Sequence, residues 1–173
     1  MITLLVKDCN TLSQDFYNSC IFNLQLHRIR CSCGHSGCLT IHGYYTRKVK
    51  APGGSFRLKV CRVICSECGR THAILPSSLV PYSQIPLDCQ CLIVCFSESG
   101  SSLDPVFEKY PDVDENNVKH VIRNYRRHWK ERLLSEGLGL SSLITLVTAC
   151  FAHYSAQFMQ IHRMANILFQ KPT

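Results

Sequence analysis

Five cysteines in two short segments constrain this chain more than any other feature. Residues 31 to 38 read CSCGHSGC, and residues 65 to 68 read CSEC. Both segments are polar and turn-forming, unlike the helical patterns in which cysteine serves as a small apolar side chain. Cys65 and Cys68, followed by Gly69, have the spacing of a metal-binding knuckle. In such a knuckle both thiolates turn inward, and backbone amides beyond the first cysteine offset their charge. The other donors come from the first segment. Cys31 and Cys33 precede Gly34 in a shortened Cys-x-Cys-Gly, Cys33 with Cys38 is a geometrically reasonable alternative, and His35 is a reserve donor. Four such donors suit a structural Zn2+. A catalytic zinc needs an open position with an acid or base beside it, whereas Glu67 sits between the two ligands of the knuckle and reads as solvated. No second motif supports an iron–sulfur cluster. His42 could supply a fourth ligand, but it and His72 read more simply as hydrogen-bonded structural histidines.

What the ion would hold is legible between the two segments. LTIHGYYTRKVK and FRLKVCRVI alternate on either side of APGG, which predicts a hairpin with a Pro-Gly-Gly turn. THAILP is expected to be a third strand ending at Pro76. The hairpin arms separate the cysteine segments in sequence and bring them together in space. A sheet this small has little core, so a metal at its end is the natural staple.

The remaining chain reads as mostly helical. ITLLV opens as a strand, followed by a helix from Ser13 to Leu26 with Ser13 as cap and Phe16, Cys20 and Leu24 on one side. SSLVPYSQIP is a proline-punctuated linker. Beyond it, Leu87, Cys91 and Val94 begin a helix stopped by Gly100, and a short helix follows, capped by Ser102 or Asp104 with Pro105 in its first turn. Asp114 caps a third, expected from Glu115 to about Ser135, with Val118, Ile122, Tyr125, Trp129 and Leu133 inward. The fold class is therefore α+β, a small zinc-ribbon hairpin sheet followed by a helix-turn-helix domain. Residues 1–28 form an N-terminal strand and helix, 29–76 the ribbon, 77–135 the helix-turn-helix and 136–173 a C-terminal helical segment.

Charge points to the partner. The formal net charge is +7, and Arg47, Lys48, Lys50, Arg57, Lys59 and Arg62 accumulate on the hairpin with no acidic residue among them. Lys119, Arg123, Arg126 and Lys130 make a second stripe on the third helix. If that helix enters a major groove, Asn116, Asn117, His120, Arg123 and Asn124 meet base edges, while Arg126, Arg127 and Lys130 meet phosphate. Arg47, Lys48 and Lys50 would extend the backbone footprint of double-stranded DNA. RNA is the next account, with Tyr44 or Tyr45 stacking on bases, although adjacent strand tyrosines face opposite ways.

The series C31-S-C33-G34, H42-G43-Y44-Y45-x-R47, R62-V63-I64-C65-x-x-C68-G69 and T71-H72-A73-x-L75-P76, followed by L79-V80-P81-Y82, resembles the amino-terminal region of transposase-related zinc-ribbon proteins. These include an uncharacterised bacterial domain family of mobile-element genes. The resemblance spans residues 29 to 135. It implies that Cys31, Cys33, Cys65 and Cys68 ligate zinc, and that ribbon and helix-turn-helix recognise element DNA. Full transposases add a metal-dependent nuclease domain, whereas Glu136 is the only acidic residue in 136–173. The expectation is a regulator or targeting subunit with no enzymatic activity. No Ser-His-Asp arrangement, phosphate-binding glycine loop or HExxH motif appears.

Residues 138–162 carry no formal charge, but Thr145, Thr148, His153, Ser155, Gln157 and Gln160 interrupt the run, so a membrane span is not expected. Residues 138–168 read instead as a homodimer or protein-partner interface. The alternative function follows from that stretch: an adaptor within a larger complex, with the basic faces serving solubility. Twelve cysteines without a signal-peptide pattern at MITLLVKDCN favour reduced thiols and a cytoplasmic location.

Overall fold

The computed structural model describes residues 1–4, 12–131 and 168–170. The chain divides into two units, the first taking 1–47, 57–78 and 162–173 and the second 48–56 and 79–161. The C-terminal stretch at 138–168, expected to form an interface, lies outside the described residues apart from Leu168.

The first unit is built on a mixed sheet of order β2-β3-β4-β1-β5. Its strands are β1 (Ile2–Leu4), β2 (Leu39–Ala51), β3 (Gly54–Cys65), β4 (Thr71–Pro76) and β5 (Leu168–Gln170). β2 and β3 are the arms of the expected hairpin, whose tip, residues 48–56, belongs to the second unit. Pro52 and Gly53 make the turn: proline presets one φ, and Gly53 takes the positive φ of 76° that a side chain would resist. β3 runs antiparallel to β4, with Val63 opposite His72. β1 lies parallel between β4 and β5 and is buried along its whole length. The opening stretch, expected as a strand, supplies an inner strand of the sheet at Ile2–Leu4.

β4 pairs with β3 only at residues 62–64, so the preceding backbone of β3 needs other partners. Helix α1 (Gln14–Phe22) supplies them. The Gln14 amide oxygen accepts from the Lys59 N–H at 2.7 Å, and its nitrogen donates to the Lys59 carbonyl at 3.3 Å. The Tyr17 hydroxyl accepts from the Cys61 N–H at 2.8 Å and donates to the Ile74 carbonyl at 2.9 Å, joining β3 to β4. Burial raises the Tyr17 phenol well above its ordinary value and keeps it a donor. Ser13 caps α1 as expected, its hydroxyl accepting from the Phe16 N–H. The buried pair is Tyr17 and Cys20, however, and the helix ends at Phe22, with a single 3-10 turn at Leu26–Arg28.

The second unit contains α2 (Leu87–Ser99), α3 (Asp104–Lys109) and α4 (Glu115–His128). Cys89, Cys91, Ile93 and Val94 of α2 pack with Val106, Tyr110, Val113, Val118, Val121, Tyr125 and Trp129. Gly100 ends α2 in the left-handed conformation, φ 69°, as its position implied. α3 begins at Asp104, between the starts that the two expected caps imply. Leu103 is its cap, while the Ser102 hydroxyl accepts the Asp104 N–H. α4 runs to His128, helical backbone resumes at Lys130 and Glu131, and the expected end at Ser135 lies outside the described residues; Val121 takes the fully buried position assigned to Ile122. The segment read as a linker is packed: Leu79, Val80 and Ile85 are buried, Leu79 bridges Pro86, and Gln90 donates to the Ile85 carbonyl at 2.9 Å.

Tyr17→Phe strands a buried N–H and a buried carbonyl together. Urea unfolding is expected to show a loss of about 1–3 kcal/mol; an unchanged midpoint would contradict the role given to the phenol.

Candidate metal centre and recognition helix

Two turns set the cysteine geometry. The first is a small loop closed by an Arg30–Ser36 bridge, in which Cys31 N–H donates to the His35 carbonyl at 2.8 Å and Gly34 N–H to the Cys31 carbonyl at 2.9 Å. The second is the knuckle after β3, where Gly69 N–H donates to the Cys65 carbonyl at 2.9 Å and Cys65 N–H to the Arg70 carbonyl at 3.0 Å. A bond of 2.8 Å from Ser66 N–H to the Cys38 carbonyl ties the turns together.

This arrangement brings the sulfurs of Cys31, Cys33, Cys65 and Cys68 within 4.8 Å of one another. Cys31 and Cys68 are 3.7 Å apart, as are Cys33 and Cys65. Tetrahedral zinc with Zn–S of about 2.3 Å places its sulfurs about 3.8 Å apart, whereas a disulfide requires about 2.05 Å. The cluster is therefore consistent with a single Zn2+ site held by those four cysteines. Cys38, the alternative donor, stands outside it. Its thiol donates to the His35 carbonyl at 3.3 Å, and its backbone carries the link between the turns.

The protonation pattern follows from what each sulfur faces. Burial opposes charge on Cys31, but the Cys33 N–H and thiol and the His72 ring outweigh it, bringing Cys31 down to about 7. At Cys65 burial is likewise outweighed, by the Cys68 N–H, the Cys38 thiol and the Glu67 N–H, and its value falls to about 6. Cys68 receives an N–H from Arg70, yet burial and the neighbouring sulfurs push it up to about 12. Burial and the Cys65 sulfur push Cys38 up to about 11. Negative charge on closely spaced sulfurs is mutually repulsive, and a divalent cation removes that repulsion.

The histidines divide. His72 is buried, with Nε2 3.4 Å from the Cys31 sulfur, so it acts on a ligand from outside the cluster. Sequence reasoning treated it as structural and missed this contact. The signal was its place in β4, opposite the strand that ends in Cys65. His35 lies at the surface with Nδ1 3.5 Å from Cys33. His42 is exposed on β2.

The helical unit places the other predicted residues. Asp114 accepts from the Asn117 N–H at 2.8 Å, while Asn117 accepts from the Asp114 N–H at 3.3 Å, making a reciprocal cap for α4. Lys50, buried at the hairpin tip, reaches the same cap. Its ammonium donates to the Asn117 side-chain oxygen and lies 3.6 Å from the Asp114 carboxylate. Hydrogen bonds from the Asn117 backbone and the charge of Lys50 hold the Asp114 carboxyl below its ordinary value. Gly53 N–H donates to the Lys109 carbonyl at 3.0 Å, so the tip also meets the end of α3. Asn117 and Lys50 thus hold the start of α4 in place and are not presented to solvent as Asn116 is.

Asn116, His120, Arg123, Arg126 and Arg127 are exposed along α4, with Asn124 partly so. The His120 ring lies 3.3 Å from the Arg123 guanidinium through Nδ1 and 2.8 Å from the Asn124 amide through Nε2. Lys130 pairs with Glu98 at 2.7 Å, beyond the end of α4. Arg47 lies half-buried beside Tyr45, and Lys48 is exposed.

Residues 30–102 match the model of a family described as a domain of unknown function (DUF6431). The match runs from the first cysteine turn through α2 and covers less than half of the chain. No curated protein and no solved structure matches. Among the described residues, no helix is long and apolar enough to cross a membrane. A four-cysteine zinc site with helix-turn-helix-like helices supports a zinc-stabilised DNA-recognition domain, an architecture typical of non-catalytic modules.

Cys65→Ser is expected to abolish zinc retention, while Cys38→Ser keeps one ion per chain, as read by metal analysis of purified protein. Lys50→Met should speed amide exchange at Asn117 and Val118 while helical content persists. Unchanged exchange would show that the cap holds without the lysine.

Proposed function

We propose that this chain is a sequence-specific binder of double-stranded DNA, related to the DNA-recognition regions of transposases and serving a mobile element as a regulator or targeting subunit. The observation that carries this reading is α4 itself. Its N-terminus is fixed by the Asp114–Asn117 cap and by Lys50, and its outer side presents Asn116, His120, Arg123 and Asn124. A helix whose start is held this firmly can keep its side chains in register with base edges. Asn116 and Arg123 have the donor and acceptor chemistry for adenine and guanine edges. Arg126 and Arg127 make no hydrogen bond or ion pair among the described residues and suit phosphate. Lys119 is paired with Glu115 at 3.3 Å, an exposed contact that phosphate can displace. The element relationship rests on the motif series from Cys31 to Tyr82. Action by binding alone, in the reducing cytoplasm, fits zinc held by four thiolates.

Selection from a random duplex pool should return a recurring motif. Combined Arg123→Ala and Arg126→Ala should abolish duplex binding while zinc content and helicity persist. Unchanged duplex affinity at low salt would overturn the proposal.

A further inference from the structure

The first unit carries an exposed surface that duplex recognition by α4 does not use. Along β2 the even-numbered residues Thr40, His42, Tyr44 and Thr46 are exposed, while Tyr45 and Arg47 turn to the half-buried side. On β3, Arg57 and Lys59 are exposed. The Lys59 ammonium lies 5.0 Å from the centre of the Tyr44 ring, which puts the two strands' exposed residues on one face. β2 is the last strand of the sheet on this side. Tyr44 is 49% exposed, a large area for an aromatic ring with a cation beside it. Charge selects the partner: no acidic residue occurs between Asp15 and Glu67, so this whole stretch is uniformly attractive to a polyanion.

We infer that this face of the hairpin is a second nucleic-acid site, which binds single-stranded DNA by stacking an unpaired base on Tyr44 while Lys59 and Arg57 hold the flanking phosphates. Duplex DNA offers phosphates to a sheet face but keeps its base faces stacked within the helix. An open aromatic ring with a cation beside it gains most from a strand whose bases are free. Lys59 over the ring adds to the attraction for a base and fixes the phenol in one pose. His42 and Thr46 flank Tyr44 on the same strand and provide hydrogen-bonding groups without a negative charge. This site depends on the first unit alone and does not require that α4 read duplex DNA.

The test is fluorescence anisotropy of the full zinc-loaded chain with labelled oligothymidylate, compared with a fully paired duplex of equal phosphate count. The parent protein is expected to bind the oligothymidylate. Tyr44→Leu should weaken that binding roughly five- to hundredfold, with duplex affinity unchanged. Tyr44→Phe should keep it, because stacking uses the ring, and Lys59→Met should weaken it and flatten its salt dependence. Equal binding of oligothymidylate by Tyr44→Leu and the parent would overturn the inference, as would equal losses for both DNAs. Should Tyr44→Leu fail to retain zinc, Tyr44→Trp gives an independent reading against the buried Trp129. Quenching of its emission by oligothymidylate supports the site, and unquenched emission at saturating DNA refutes it.

Discussion

Four sulfurs within 4.8 Å of one another cannot all be thiolates without a cation between them. Metal ions relieve that repulsion, and the relief becomes folding energy because the donors come from two distant turns. Its structural consequence is local and specific. β2 begins directly after Cys38 and β3 ends at Cys65, so the two turns close the base of the hairpin. Ser66 and Cys38 repeat that closure in the backbone. Strands as short as β1 bury little apolar area by themselves, and the ion provides a fixed end against which the sheet can form.

The second unit solves a different problem with a buried charge. A lysine ammonium out of water is costly unless it is paired and hydrogen-bonded. Lys50 meets a carboxylate and an amide oxygen that are already the cap of α4. The cost of burying the charge is thus offset by groups whose positions the helix needs in any case. Removing the lysine leaves the cap intact but unsupported; removing Asp114 leaves a buried cation without its counter-charge. The second loss is the graver one.

Local chemistry made much of this legible in the sequence. The Pro-Gly-Gly turn, the alternation on either side of it, Gly100 and Asp114 each announce a backbone event within a few residues, and each occurs where its residue type implies. Cysteine spacing narrowed the metal donors without deciding among them, because sulfurs are chemically alike. The backbone path that takes Cys38 out of the cluster depends on its link to Ser66. Tyr17 was passed over because periodicity marks apolar residues, whereas its burial depends on a polar tip reaching two strands. Asn117 and Lys50 were read as DNA contacts because a polar residue near a helix start and a basic residue on a hairpin look alike in either role. Only the contact between residues distant in sequence distinguishes positioning from recognition. The segment from Leu79 to Ile85, in which Leu79, Val80 and Ile85 are buried while Tyr82 is exposed, shows the same limit: its prolines signal irregular backbone but do not reveal which residues pack.

The central claim is that one zinc ion, held by cysteine sulfurs alone, organises the ribbon. X-ray absorption at the zinc edge of the purified protein tests it most directly. The account predicts a single shell of four sulfurs at about 2.3 Å, with no light-atom scatterer in the first shell. A mixed sulfur and nitrogen shell would contradict it, placing a histidine in the coordination sphere and a cysteine of the cluster outside it.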